Sequence, residues 1–320
     1  MSKPPEIAEL KYAVEQVFSE PVMNLRRQPS DYSSTFPIEL LHIAFAGGRE
    51  VSVVFKNLAR HTVLEDASRV KPEFLYDPRR EIGFYRHLQP ALNLGSPKPY
   101  GAWNDWLFLE RVEAPELYQI GEFEVWLEAA RWLARFHSAP ASDPAVARSL
   151  VPELLHHDAA FYDAWLQRAR RFCGSKLDPV VESYAETRKV LIEMPRSLIH
   201  GEFYASNVLI QGYQDTPRIC PVDWEMAAIG PGLLDLAALA SGKWNRRERL
   251  KMLDAYATAL SARLRPPDLE AAFECAQLQI ALQWLGWADG WSPYKEHAHD
   301  WEAEALRAHS SLVAAHANSL

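Results

Sequence analysis

Glu202 and Asn207 stand five positions apart in "LIHGEFYASNVLI" (198–210), on a polar stretch held between two apolar runs, and Asp223 follows in "PVDWE". Residues of these types suit phosphoryl transfer. That reaction asks little covalent chemistry of a protein: the phosphates are held, their charge is neutralised by Mg2+, and an attacking hydroxyl is aligned with a base. A carboxylate at 202 can take the hydroxyl proton. The Asn207 amide and the Asp223 carboxylate offer the hard oxygens that Mg2+ takes.

Upstream lie two further charged residues in ordered positions. "FPIELLHIAF" and "EVSVVFKNL" are partly alternating apolar runs joined by Ala46-Gly47-Gly48, which predicts a hairpin with Lys56 near the end of its second strand. "DPRREIGFYRHLQPAL" has helical period, with Asp77 as N-cap and Pro78 in the first turn. Glu81, Tyr85 and Leu88 then share the face that should be buried. A buried acid needs a cation or hydrogen bonds, and Lys56 is a candidate partner.

"WLFLERVEAP" reads as a last strand leading into a connector, and beyond it the pattern turns helical. Phe123, Trp126, Ala130, Leu133 and His137 make one amphipathic face, and 269–288 is expected to behave alike. The 198–226 region is a strand-rich interruption among these helices, as expected of a site built on strand ends and loops.

Singly, each residue has a structural reading. Lys56 can be a strand-end lysine lying along apolar surface, Glu81 an acid favoured by a helix dipole, Asn207 and Asp223 turn residues. His137 reads as a core histidine and His200 as a loop-holding one. "EHAHD" (296–300) reads as a solvated rim rather than a metal site. The aromatic group Trp284, Trp287, Trp291 and Tyr294 reads as helix packing or as the wall of a ligand cleft.

In their order the segments resemble the aminoglycoside phosphotransferase and choline kinase-like family, which has the protein-kinase fold. The family's catalytic loop, HGDxxxxN, is matched by His200 through Asn207, with Glu202 in place of Asp. "PVDWEMAAIGPGLLDLA" resembles its metal segment, "VVFKNL" its lysine strand, "REIGFYRHL" its glutamate helix and "LFLERV" its hinge. The resemblance covers roughly 30–290. It implies an α+β, two-lobed fold: an antiparallel-sheet, nucleotide-binding lobe over 1–112 and a mainly helical catalytic and substrate-binding lobe over 113–320. It further implies transfer of the γ-phosphoryl group of ATP, with GTP as the alternative, to a hydroxyl of an aminoglycoside-, nucleoside-antibiotic- or choline-like molecule. Catalysis would fall to Glu202, Asn207 and Asp223, the last two holding Mg2+. Lys56, Glu81, Ser33, Ser34 and the hinge residues Leu109, Glu110 and Arg111 would bind the nucleotide. Asp235 would brace the loop, and Glu225, Trp287, Trp291 and Tyr294 would meet the acceptor.

Two departures stand out. The phosphate-covering stretch "RRQPSDYSSTFP" has no glycine, leaving Ser33, Ser34 and backbone N–H groups as donors. Glu202 carries its carboxylate about 1.5 Å further than Asp would; a misplacement of about 1 Å can cost on the order of 10²-fold in rate. Because Lys56, Asn207 and Asp223 are all kept, Glu202 reads as a working base; the alternative is a noncatalytic nucleotide-binding regulator. A protein kinase is disfavoured, since no activation segment separates Asp223 from Asp235.

Composition narrows the rest. A 320-residue chain with 48% hydrophobic and 24% charged residues has the make-up of a soluble globular protein large enough for two lobes. Net charge is −8 with no basic block, which argues against nucleic acid as a partner. No apolar run approaches a membrane span and the first residues show no apolar leader, so a cytoplasmic monomer or homodimer is expected. Cys173, Cys220 and Cys275 form no CxxC pair and are expected to be buried free thiols.

Overall fold

The computed structural model describes residues 5–30, 35–93, 95–212, 216–288 and 299–317, with side chains to 315. Ser33, Ser34, Trp291, Tyr294, Glu296 and His297 lie outside the described residues.

The first half builds a sheet. Helix α1 (Ile7–Phe18) is followed by β1 (Val22–Pro29), β2 (Ile38–Phe45) and β3 (Glu50–Asn57), then α2 (Glu65–Val70), α3 (Pro78–Gly83), α4 (Gln89–Leu92), β4 (Pro99–Trp103) and β5 (Trp106–Glu110). The five strands run in the order β1-β2-β3-β5-β4, every pair antiparallel. The expected hairpin joins β2 to β3, with Gly48 at φ 83 in the turn. Strand alternation does the sorting: Leu41, Ile43, Phe45, Val53 and Phe55 pack against Leu10, Ala13 and Val14 of α1. Lys56, next to Phe55, falls on the opposite face, toward the second lobe.

Asp77 caps α3 by accepting from the Arg79 N–H at 3.0 Å. A π turn over Phe84–Leu88 joins α3 to α4, a detail the helical period did not signal. Glu81, Tyr85 and Leu88 are buried as expected.

The second half is mainly helical. Its helices are α5 (Phe123–Ser138), α6 (Pro144–Leu150), α7 (Ala159–Cys173), α8 (Asp178–Glu193), α9 (Leu233–Leu239), α10 (Arg246–Ala259), α11 (Leu269–Trp287) and α12 (Trp301–Ala317). Between them β6 (Leu155–His156), β7 (Arg196–Ile199) and β10 (Ala228–Pro231) form one small sheet, and β8 (Val208–Gln211) pairs with β9 (Arg218–Pro221). Trp126, Ala130, Leu133 and His137 of α5 are buried on one face. Helix α11 departs from expectation: packed by α7, α8, α9 and α12, it buries even Gln277, Gln279 and Gln283. Its face was read as amphipathic because glutamine mimics a solvated position.

All three cysteines are free, Cys220 and Cys275 buried and Cys173 half-buried. Among the described residues no helix is long and apolar enough to cross a membrane.

Candidate active site

Pairing of β7 with β10 (Ile199 opposite Ala228) brings residues 200–202 against 224–227. Gly201 makes the approach possible. At φ 87, a Cβ there would lie 2.3 Å from the Met226 carbonyl oxygen. Beneath the turn, Asp235 of α9 accepts the His200 N–H at 2.7 Å and the Gly201 N–H at 2.9 Å. The Asp235 carboxylate also meets His137 Nε2 at 3.2 Å, and His137 Nδ1 lies 2.9 Å from the Tyr256 hydroxyl. Burial alone would raise Asp235, but these donors hold its pKa below the usual carboxylate value. His200 bridges the two segments. Its Nε2 is 2.9 Å from the Val222 carbonyl and its Nδ1 3.3 Å from the Glu202 N–H, an arrangement that fits the neutral ring favoured by burial.

Asn207 and Asp223 meet beyond this turn. The Asn207 Nδ2 donates to the Glu202 carbonyl at 3.0 Å, its Oδ1 has no hydrogen-bond partner among the described residues, and its own carbonyl accepts from Val222 N–H at 2.9 Å. Asp223 sits at φ 66, ψ 66, a left-handed conformation that Asp and Asn tolerate better than most residues. One of its oxygens, Oδ1, accepts from Lys56 Nζ at 2.8 Å. Lys56 also donates to both oxygens of Glu81, at 2.7 and 2.9 Å. Burial works against the charged lysine, yet Asp223 and Glu81 together raise its pKa. Asp223 is held low despite burial, chiefly by Lys56, whereas burial and the nearby Asp223 push Glu81 upward.

Glu202 and Asp223 open onto one cavity of about 640 Å³, together with Asn207 and Ser206. Burial, and then the negative charges of Glu225 and Asp223, push the Glu202 carboxyl up to about 8. Among the described residues its carboxylate makes no hydrogen bond, so it faces the cavity uncommitted. Glu225 is committed: Lys71 Nζ donates to it at 2.6 Å and Thr35 Oγ1 at 2.9 Å. Arg80 of α3 donates to the Glu225 carbonyl at 2.7 Å, fixing the segment behind Asp223.

A family model described as the phosphotransferase enzyme family matches residues 42–273. The chain belongs to this family. No protein with a curated description matches it by sequence. Among solved structures it is similar to the choline kinase LicA from Streptococcus pneumoniae, at 15% identity and a TM-score of 0.60, over 96% of this chain and 98% of that one. The macrolide 2'-phosphotransferase MphH from Brachybacterium faecium is similar at 17% identity and 0.59, over 97% and 98%. A spectinomycin phosphotransferase in complex with ADP and spectinomycin is similar at 11% and 0.53, over 98% and 95%. At these identities the likeness shows the fold, which is the two-lobed, protein-kinase-like one.

In this phosphotransferase-family chain, Lys56, Glu81, Glu202, Asn207 and Asp223 converge, and Glu225 and Trp287 line the cavity with them or beside them. The hinge differs in detail. Leu109 and Glu110 remain paired inside the sheet, opposite Val54 and Val53, and the Glu110 N–H donates to Lys98. Arg111 is thus the first hinge residue outside the strand. The Glu110 side chain is taken by Arg218, at 2.8 and 3.0 Å. Trp244 and Trp301 also line the cavity, as do Trp126 and Lys71, and none was singled out for it in the sequence. His299, expected on a solvated rim, borders the cavity and packs edge-on against Trp301.

Proposed function

We propose that this chain transfers the γ-phosphoryl group of ATP to a hydroxyl of a small molecule. The observation that carries the reading is the convergence of Glu202, Asn207 and Asp223 at one large cavity, with Lys56 bound to Asp223 behind it.

The donor set fits Mg2+. Asn207 Oδ1 and the second oxygen of Asp223 are hard donors without hydrogen-bond partners among the described residues, and both residues border the cavity. Four carboxyl groups (Glu81, Glu202, Asp223, Glu225) share the site with two ammonium groups (Lys56, Lys71), an imbalance that a divalent cation relieves. Mg2+ commonly keeps several waters and takes further ligands from phosphates, so two protein oxygens suffice to place it. Asn207 and Asp223 would hold the ion, and its chemistry is to neutralise the phosphate charge that develops in transfer.

Each protein group has one task. Lys56, held by Glu81, presents a fixed positive charge beside the phosphates. Asp235 and His200 fix the turn that carries Glu202. Glu202 in its ionised form accepts the acceptor's hydroxyl proton, and a cation bound by Asn207 and Asp223 would favour that form by offsetting the neighbouring negative charge that, after burial, pushes the carboxyl up. Arg111 and the residues after it offer backbone groups to adenine.

Tyr118, Trp126, Tyr204, Trp244, Trp284 and Trp301 supply aromatic faces to the cavity. Its size is within the range of drug-sized ligand pockets. Aromatic faces beside carboxylates suit an acceptor with an apolar or cationic body and a free hydroxyl. Choline-like, aminoglycoside, macrolide and nucleoside acceptors are therefore the panel to test with ATP and Mg2+, following ADP release. Turnover of at least one is expected; nucleotide binding with no acceptor turned over would identify a noncatalytic binder instead.

A further inference from the structure

Lys71 enters the site from the connector that leaves β3 and returns as α3. Its side chain is 2% exposed, and it borders the same cavity as Glu202, Asn207 and Asp223. The second lobe holds this connector in place. Arg168 of α7 donates to the Val70 carbonyl and, at 3.0 Å, to the Gly286 carbonyl, while Phe74 meets Phe161 edge-on with centroids 6.2 Å apart. Lys71 therefore lies between two anchors.

The donor count sets the two lysines apart. An ammonium has three N–H donors. Lys56 makes three bonds, to Glu81 Oε1, Glu81 Oε2 and Asp223 Oδ1. Lys71 makes two among the described residues, to Glu225 Oε2 at 2.6 Å and Thr35 Oγ1 at 3.3 Å, and it borders the cavity. A transferring phosphoryl group spreads charge over three equatorial oxygens, all of which need donors or cations.

We propose that Lys71 contacts the phosphoryl group in transit, as a second lysine besides Lys56. This rests on the function proposed above. In the step, the acceptor oxygen bonds to the γ-phosphorus, the bond from that phosphorus to the β–γ bridging oxygen breaks, ADP leaves with the electron pair, and the hydroxyl proton passes to Glu202. Lys71 keeps its proton throughout and serves as donor and charge.

Calorimetry on the whole chain with Mg2+ separates this role from a structural one, using ADP and a β,γ-imido triphosphate analogue as probes. Lys71→Met should weaken the triphosphate analogue on the order of 10- to 100-fold, as the loss of one charged hydrogen bond implies, and leave ADP nearly unchanged. Should that variant not fold, Lys71→Met/Glu225→Gln removes both charges and leaves no orphaned carboxylate; the same selective loss is expected. Equal loss for both nucleotides, or a double variant that regains the wild-type ratio, overturns the assignment, because Lys71 would then only neutralise Glu225. A variant that matches a nucleotide-binding wild type overturns Lys71 alone. A wild-type chain that binds neither probe overturns the proposed function as well.

Discussion

Lys56 grips both oxygens of Glu81, at 2.7 and 2.9 Å, across 25 residues of chain and in near-complete burial. Removing one partner strands the other, which typically costs about 3–5 kcal/mol. We predict that Lys56→Met and Glu81→Gln each lower stability by amounts in this range, and that the double variant costs less than their sum by on the order of 1–3 kcal/mol. Urea denaturation of the four chains measures the coupling. Strict additivity would show that the pair does not act as one.

Asp223 combines a charge with a left-handed backbone. Asn tolerates that conformation nearly as well and can still accept from Lys56, so Asp223→Asn should unfold within about 1 kcal/mol of the wild type. Transfer should nonetheless be lost. Unchanged affinity for ATP with Mg2+ in this variant, read by calorimetry, would remove Asp223 from the metal site.

Glu202→Gln should lower kcat by roughly 10²–10⁴-fold with little change in nucleotide affinity, because the carboxylate makes no protein bond in the structure. Glu202→Asp tests the longer reach. A site shaped around Glu loses activity when the carboxylate is drawn back; a gain would mean that the natural chain is an impaired enzyme.

Gly201→Ala meets the Met226 carbonyl at 2.3 Å and forces φ 87 on a residue with a side chain. Stability should fall by about 2 kcal/mol or more, and transfer should fall with it because Glu202 is the next residue. Equal stability of the variant and the wild type would show that the turn is free to move.

His157 gives the chain a built-in acid sensitivity. Its two ring nitrogens lack hydrogen-bond partners among the described residues, and burial, helped by Arg196, lowers its pKa to about 3. Unfolded, the ring titrates near 6.5. The unfolded chain thus binds the extra proton first, so this stability is present above the unfolded value and is lost as pH falls toward 3. Linkage puts the loss between pH 7 and pH 5 at about 2 kcal/mol. His157→Phe, which can keep the stacking on Phe161 (3.9 Å between centroids), should lose about that much less stability over the same interval. Identical pH slopes for the two chains would contradict the assignment.

The charged and amide residues that the fold brings together are legible in the sequence because each stands where a local pattern ends. Lys56 closes an alternating strand, Glu81 is placed by a capped helix, and Glu202 to Asn207 interrupts an apolar run. Lys71 carried no such mark. It lies in a connector without period, and its partner Glu225 is 154 residues away, so only folding reveals the pair. Trp244 and Trp301 carry no such mark either, being brought to the cavity from the segment before α10 and from the start of α12. Helix α11 shows the opposite error, in which polar side chains suggested solvent where neighbouring helices stand. The end of β5 at Glu110 is set by pairing with β3 and β4 rather than by composition, so the sequence alone does not mark which hinge residue leaves the strand first.

The connector that carries α2 starts where the Lys56 strand ends and finishes where the Glu81 helix begins. Asp66, Ala67, Val70 and Lys71 on it roof the acceptor cavity. Displacing that segment would break its bonds to Arg168 and Glu225, and the displacement would be carried to the two ends of the connector. Those ends carry Lys56 and Glu81, the buried pair that the proposed function sets beside the phosphates. On the proposed function, widening the cavity for the acceptor would therefore be expected to ease the hold on the nucleotide.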